Sequence, residues 1–418
     1  MATVLRLPGF DHSIALLREG YDFLPRRFER HGTDLLEARL LLQRTICMQG
    51  REAAALFYDS SRFRRRRAAP RRARVTLFGR GAVQGLDGQA HLERKAMFMR
   101  LMDEVSIGRF VTLFELHWRD ALARWQERGR VELLLGAREV LTRTVCEWAS
   151  VPLPNAEVER RAEQLAAIVE GSGSIGPEHW RARLARLQVN LWIMGVIKGI
   201  RAGQLRPPPG SPAYVVAWQR EGGKLLSARL AAVELVNLLR PAVAIDRYIG
   251  FAGLALHEHG ERLATLEPAW SWEDPQDLEA FVQEVRRFYP FFPFAAAKVR
   301  KTFEWRGYRF ARGRRVLLDI YGSNRDEREW EDPQQFKPER FRGRAIERFV
   351  LIPQGGGDHY RDHRCAGEWL TIAVMMAAVR SLTTQMSYRV PEQDLRVDRG
   401  RIPTGPADGF VIEDLQSL

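Results

Sequence analysis

The chain has 418 residues, 45% of them hydrophobic, with a net charge of +13 and a sequence pI near 10.1. Three cysteines imply no disulfide framework and fit a reducing, cytoplasmic setting. The longest apolar run, 369–379, is about half the ~20 residues that cross a bilayer, and the N-terminus lacks an apolar signal core, so no membrane anchor or targeting segment is expected.

The length suggests two or three domains, but no Pro/Ser/Gly linker divides the chain, and Arg206–Gly210 reads as a loop. A single domain over 1–418 is expected. The densest basic cluster is Arg64–Arg67 with Arg71, Arg72 and Arg74. Acids are interspersed throughout, and no finger, helix-turn-helix or RNA-binding signature accompanies the arginines. Most of the charge therefore reads as solvated surface, with a remainder that can steer anionic substrates.

In chain order, residues 38–49 and 74–79 are predicted as strands from their β-prone composition. Helical periodicity then dominates, with helices predicted over 101–128, 130–148, 157–170, 179–202, 214–228, 231–259 and 278–288. Phe303–Trp305, the turn Arg306-Gly307 and Tyr308–Phe310 read as a hairpin, 315–321 as a further strand, and 369–384 as a final helix. The fold class is mainly α with a small β region.

Two stretches carry chemistry. In the first, Arg240 lies inside an apolar helical run and is followed by Pro241, a source of a kink. The nearest acids, Glu234 and Asp246, are each six residues away and off its helix face. A buried arginine without a local partner is costly. It needs an anion from elsewhere, unless it snorkels to the surface or meets a distant acid.

The second is the loop Gln354-Gly355-Gly356-Gly357 through Arg364-Cys365 to Glu368. Three glycines permit a tight path beside a flat object. Cys365 follows a cation and precedes a helix, which favours thiolate. A thiolate there suits an axial ligand to haem iron. A zinc site using His359, His363 and Cys365 is the rival, but neither Cys47 nor Cys146 supplies a second close-spaced ligand pair. A buried, inert cysteine is the plain alternative.

From about Leu36 onward, the chain resembles the fatty-acid peroxygenase branch of the cytochrome P-450 superfamily. The superfamily pattern has Phe seven residues before the cysteine and Gly four before it. Asp358 and Arg361 stand there, a departure that the peroxygenase branch shares. The resemblance implies a helical haem-thiolate fold with Cys365 as the iron ligand of haem b. It also makes Glu284 and Arg287 the structural Glu-x-x-Arg pair.

Arg240 and Pro241 replace the acid–alcohol pair that relays protons in ordinary monooxygenases. By the same resemblance, Arg240 binds a fatty-acid carboxylate, which serves as the acid-base for hydrogen peroxide. Leu77 and Phe78 line the acyl channel, and Gln84 sits near the oxidised carbons. His91, Lys95 and Arg65 bind haem propionates, beside Gln354 and Gly355.

The expected function is peroxide-dependent hydroxylation at the α or β carbon, with fatty acid and hydrogen peroxide as partners and neither redox partner nor nucleic acid. Decarboxylation to terminal alkenes, a redox-partner-dependent monooxygenase and a non-catalytic haem or lipid carrier are the alternatives.

Overall fold

The computed structural model describes residues 4–266 and 269–418. Helices with one apolar face assemble around a core to which Phe110, Phe114, Trp118 and Trp125 contribute from Glu104–Arg128, and Leu235, Val236 and Leu239 from Ala228–Val243. This is the mainly α architecture with a smaller β region that the sequence implies.

A mixed sheet closes one side. Its strands run in the order Leu5–Arg6, Leu35–Leu40, Gln43–Met48, Arg315–Asp319, Phe294–Val299 and Phe63–Arg64. Its central strands are buried on both faces. Ile46, Met48, Val316 and Leu318 enter one apolar cluster, and Cys47 and Leu317 enter another. The alternation follows from the period of two along a strand. Cys47 is thus a small core hydrophobe, and burial pushes its thiol up; Cys146, in the helical core, is pushed up to about 12. All three cysteines are free.

Several predicted elements are corrected. Residues 38–49 form two antiparallel strands joined at Leu41-Leu42, with Leu35 opposite Met48. Arg74–Phe78 is a π-helical turn, not a strand; its β-prone residues face a cavity and the neighbouring helices instead of a sheet. The helix predicted over 231–259 is two helices, Ala228–Val243 and Asp246–Ala264. Pro241 is the cause, since it has no N–H for the carbonyl one turn back, and the helix ends two residues later. Residues 214–228 hold a short helix, Pro212–Ala217, and a two-stranded ribbon.

The predicted hairpin forms with Trp305 opposite Tyr308, and Arg306 and Gly307 both take positive φ at its turn. Glu284 and Arg287 pair at 2.7 and 2.8 Å with neither side chain exposed. Arg287 also donates to the carbonyls of Asn324, Pro333 and Gln335, and Glu284 accepts the Lys337 N–H at 2.7 Å. The pair therefore staples the helix Pro275–Phe288 to the segment that leads into the cysteine loop. Among the described residues no helix is long and apolar enough to cross a membrane.

Candidate functional site

A cavity of about 1180 Å³ lies between the break after Val243, the loop after Arg74–Phe78 and the loop that ends at Gly367. The residues expected to hold substrate, haem and iron line it, namely Leu77, Phe78, Gln84, His91, Lys95, Arg65, Arg240, Pro241, Gln354, Gly355 and Cys365, whereas Glu284, Arg287 and His359 do not. These residues lie up to 300 positions apart in sequence, and the fold brings them to one chamber.

Cys365 sits just ahead of the helix Glu368–Arg380. Its N–H donates to the Gln354 carbonyl at 3.0 Å, and the Gln354 Nε2 approaches the sulfur at 3.7 Å. The Gln354 side chain is itself fixed, donating to Thr371 Oγ1 and accepting from Arg286. The glycine run is tight against protein: a Cβ on Gly355, at φ +96°, would meet Tyr58 Oη at 2.8 Å, and one on Gly357 would meet Asp362. Protein side chains thus already require glycine at positions 355 and 357.

The expectation that positive neighbours make Cys365 a thiolate is corrected. Burial pushes its thiol up, and the Glu368 carboxylate adds to this, outweighing Lys95. Arg364, the cation credited from the sequence, is bonded to Glu368 at 2.5 Å. Glu368 also accepts from Arg286 and from His359 at 3.0 Å, and is held well below the usual carboxylate range although burial opposes this. Lys95 and Arg286 lower the thiol's pKa, but burial outweighs them, so ionising this sulfur calls for a metal cation on it. Neither His359, which stacks on Trp369, nor His363, which stacks on His91, completes a metal site, and no such cluster occurs among the described residues.

Across the chamber, Arg240 is 5% exposed, and its Nε has no hydrogen-bond partner. Both nearby acids are engaged elsewhere: Glu234 with Arg94, and Asp246 with Arg138 at 2.8 Å. No carboxylate pairs with Arg240 among the described residues. Burial, and then the neighbouring Arg186, lower its pKa to about 9, so it stays protonated at neutral pH. An unpaired cation this deeply buried is costly unless an anion meets it. Gln84 Oε1 is likewise buried without a partner.

Sequence reasoning missed Arg186. It reaches from the helix Pro177–Arg201 to donate to the carbonyls of Leu77 and Phe78 at 3.1 and 3.0 Å, fixing the loop that bears them. A Cβ on Gly79 would meet its guanidinium at 2.3 Å. Nothing near residue 186 in sequence advertises this contact, which spans more than 100 positions. The ion pair of Arg286 with Glu368 was also missed, because the two side chains come from different elements.

A third group is basic. His91, Lys95 and Arg65 are not surface-solvated. Lys95 donates to the Arg364 carbonyl, and Arg65 lies 4.0 Å from the Phe57 ring centroid. Burial lowers Lys95 to about 8 and His91 to about 4. None has a carboxylate partner among the described residues. The chamber thus offers a soft sulfur, a basic cluster and space between them, a donor set that fits an iron porphyrin bearing carboxylates.

The cytochrome P450 family profile matches residues 274–398. The fold superposes on cytochrome P450SP alpha (CYP152B1), solved in complex with (R)-ibuprophen, with a TM-score of 0.94 and 46% identity over 98% of this chain and 99% of that one. Cytochrome P450EX alpha (CYP152N1), solved with myristic acid, superposes with a TM-score of 0.95 and 41% identity over all of both chains. A curated plant relative, melianol synthase CYP71BQ5 of Melia azedarach, is 30% identical over 118 residues, which are 27% of this chain and 23% of that protein.

Proposed function

This chain belongs to the cytochrome P450 family, as a haem-thiolate oxidoreductase close to two CYP152 members, and from that premise we propose that it hydroxylates long-chain fatty acids at the α or β carbon using hydrogen peroxide. The observation that carries the reading is Arg240, a buried cation with an unpartnered Nε in the wall of the cavity that Cys365 also lines.

Cys365 would supply the thiolate that holds the haem iron, Arg65, His91 and Lys95 would take the carboxylates of haem b, and Gln354 and Gly355 would border it. Bound haem supplies O–O cleavage of peroxide and oxygen transfer to carbon. Arg240 holds the substrate carboxylate by a charge-assisted pair. Neither Arg240 nor Pro241 can relay a proton, because guanidinium stays charged and proline has no side-chain donor.

The proton of peroxide therefore passes to the substrate carboxylate held at Arg240, which returns it to the departing oxygen. That pairing directs Cα and Cβ toward Gln84, while Leu77 and Phe78 guide the acyl chain. A redox partner is not needed for this chemistry.

Product analysis with purified, haem-loaded protein, myristic acid and peroxide tests the reading. Hydroxy acids bearing oxygen at C2 or C3 are expected. Turnover that appears only with NAD(P)H and electron-transfer proteins would overturn it in favour of a conventional monooxygenase.

A further inference from the structure

The outer rim of the cavity carries side chains that neither the fold nor the proposed reaction uses. Phe10 is 74% exposed, and Ile14 and Leu17 are exposed on the helix Ser13–Glu19. Beside them the turn between Leu35–Leu40 and Gln43–Met48 exposes Leu41 and Leu42, the latter at 66%. Two hydrogen bonds tie turn to helix: the Leu41 N–H donates to Ser13 Oγ and the Leu42 N–H to Asp11 Oδ2, each at 2.7 Å. Leu17, Leu41 and the exposed Ile175 also line the cavity, so this apolar surface borders its opening.

The turn backbone is a second, independent observation. Leu41 and Leu42 have φ of 50° and 59°. Left-handed geometry at both central positions favours Asn-Gly, and a bulky residue there is strained. The two leucines bury little, so packing within the chain does not offset that strain. Strain held at an exposed position points to a role outside the fold.

The charge around the opening narrows the partner. Arg66, Arg67, Arg72 and Arg401 are exposed and line the same cavity, and among the described residues no carboxylate pairs with their guanidinium groups. A second copy of the chain would set like charges together, since the net charge is +13. Exposed leucines and unpaired arginines at one opening, with Glu178 the exposed acid among the lining residues, match an anionic bilayer surface, where apolar groups enter the acyl boundary and cations meet phosphate.

We propose that this rim docks on anionic phospholipid bilayers, so that the cavity opens onto the lipid phase. The docking stands on the rim alone, whereas the entry of a fatty acid by this route rests on the function proposed above.

The test uses flotation of the haem-loaded full chain with vesicles of phosphatidylcholine alone or of equimolar phosphatidylcholine and phosphatidylglycerol. Binding should favour the anionic vesicles by at least ~10-fold and weaken as salt is added. Leu41→Asn combined with Leu42→Gly relieves the backbone strain and should raise the thermal midpoint. The same variant should lower partitioning by at least ~10-fold, because the inserted apolar area is lost.

Arg67→Gln with Arg72→Gln should weaken binding to anionic vesicles only. Absence of vesicle binding would overturn the proposal. So would unchanged binding of the leucine variant, which would indicate a general polyanion site, or a vesicle-free dimer that the leucine variant abolishes. The readout needs no turnover, so its failure leaves the fatty-acid reading standing, and failed turnover leaves the docking standing.

Discussion

Arg240 destabilises the fold on its own account and becomes favourable only when an anion reaches it. Glu234 and Asp246, the acids that could have relieved it, are committed to Arg94 and Arg138. Arg240→Ala should therefore spare the protein the ~3–5 kcal/mol loss of a broken buried pair, as read by chemical denaturation. Substrate affinity should weaken by about 1.5–3 kcal/mol. The rate should fall further, by roughly 10²–10⁴-fold, since the acid-base group is no longer placed. A variant with unchanged fatty-acid turnover would remove the basis of the mechanism.

Cys365 makes a different prediction. Its thiol is pushed up by burial, so the thiolate depends on iron. Cys365→Ala should lose the strongly red-shifted CO spectrum of a thiolate-ligated haem, and retention of that spectrum would exclude this ligand. Gln84, with its unpartnered Oε1, offers an amide where a titrating side chain would offer a proton near neutral pH. Hydroxy acids should thus dominate over terminal alkenes in the wild type. Gln84→His should raise the alkene fraction measured by gas chromatography, and a mainly alkene product from the wild type would show that residue 84 does not set the outcome.

The elements that matter most are those whose ends are defined by one residue. Pro241 divides a helix that apolar periodicity alone predicts as continuous, and the residues at the break, Ala244 and Ile245, line the cavity with Arg240. Glu284 and Arg287 act across elements. Besides each other they bind the chain at Asn324, Pro333, Gln335 and Lys337. Glu284→Gln leaves a buried guanidinium without its charge partner. It should cost about 3–5 kcal/mol in urea unfolding, with haem retention falling in parallel; stability within ~0.5 kcal/mol of wild type would make the pair incidental.

The i, i+3 spacing of that pair was legible in the sequence, as was the Arg306-Gly307 hairpin. The strand predicted over 74–79 was misread. Thr and Val there satisfy β propensity, but propensity yields to tertiary context, and the segment packs as a π-helical turn under Arg186.

At the scale of the molecule, the chamber is lined opposite Cys365 by a fixed cation and a proline, with no acid–alcohol pair contributed by residues 240 and 241. Peroxide alone should therefore support turnover, and NAD(P)H with generic redox proteins should add little. Efficient oxidation in the presence of a peroxide scavenger would contradict this.

The sequence by itself determined which residues could do chemistry. A cysteine in a glycine-rich loop and an arginine amid leucines with no acid on its face are short-range patterns, governed by local geometry and by the cost of burying charge, whereas Glu284 and Arg287 stood out only through the family resemblance. Only the tertiary structure decided how those residues are used. Arg364 turns from the thiol to Glu368, Arg186 fixes the Leu77-Phe78 loop from more than 100 positions away, and the glycines yield to Tyr58 and Asp362. Long-range ion pairs and close packing depend on which elements meet, and no local pattern encodes the partner across the core.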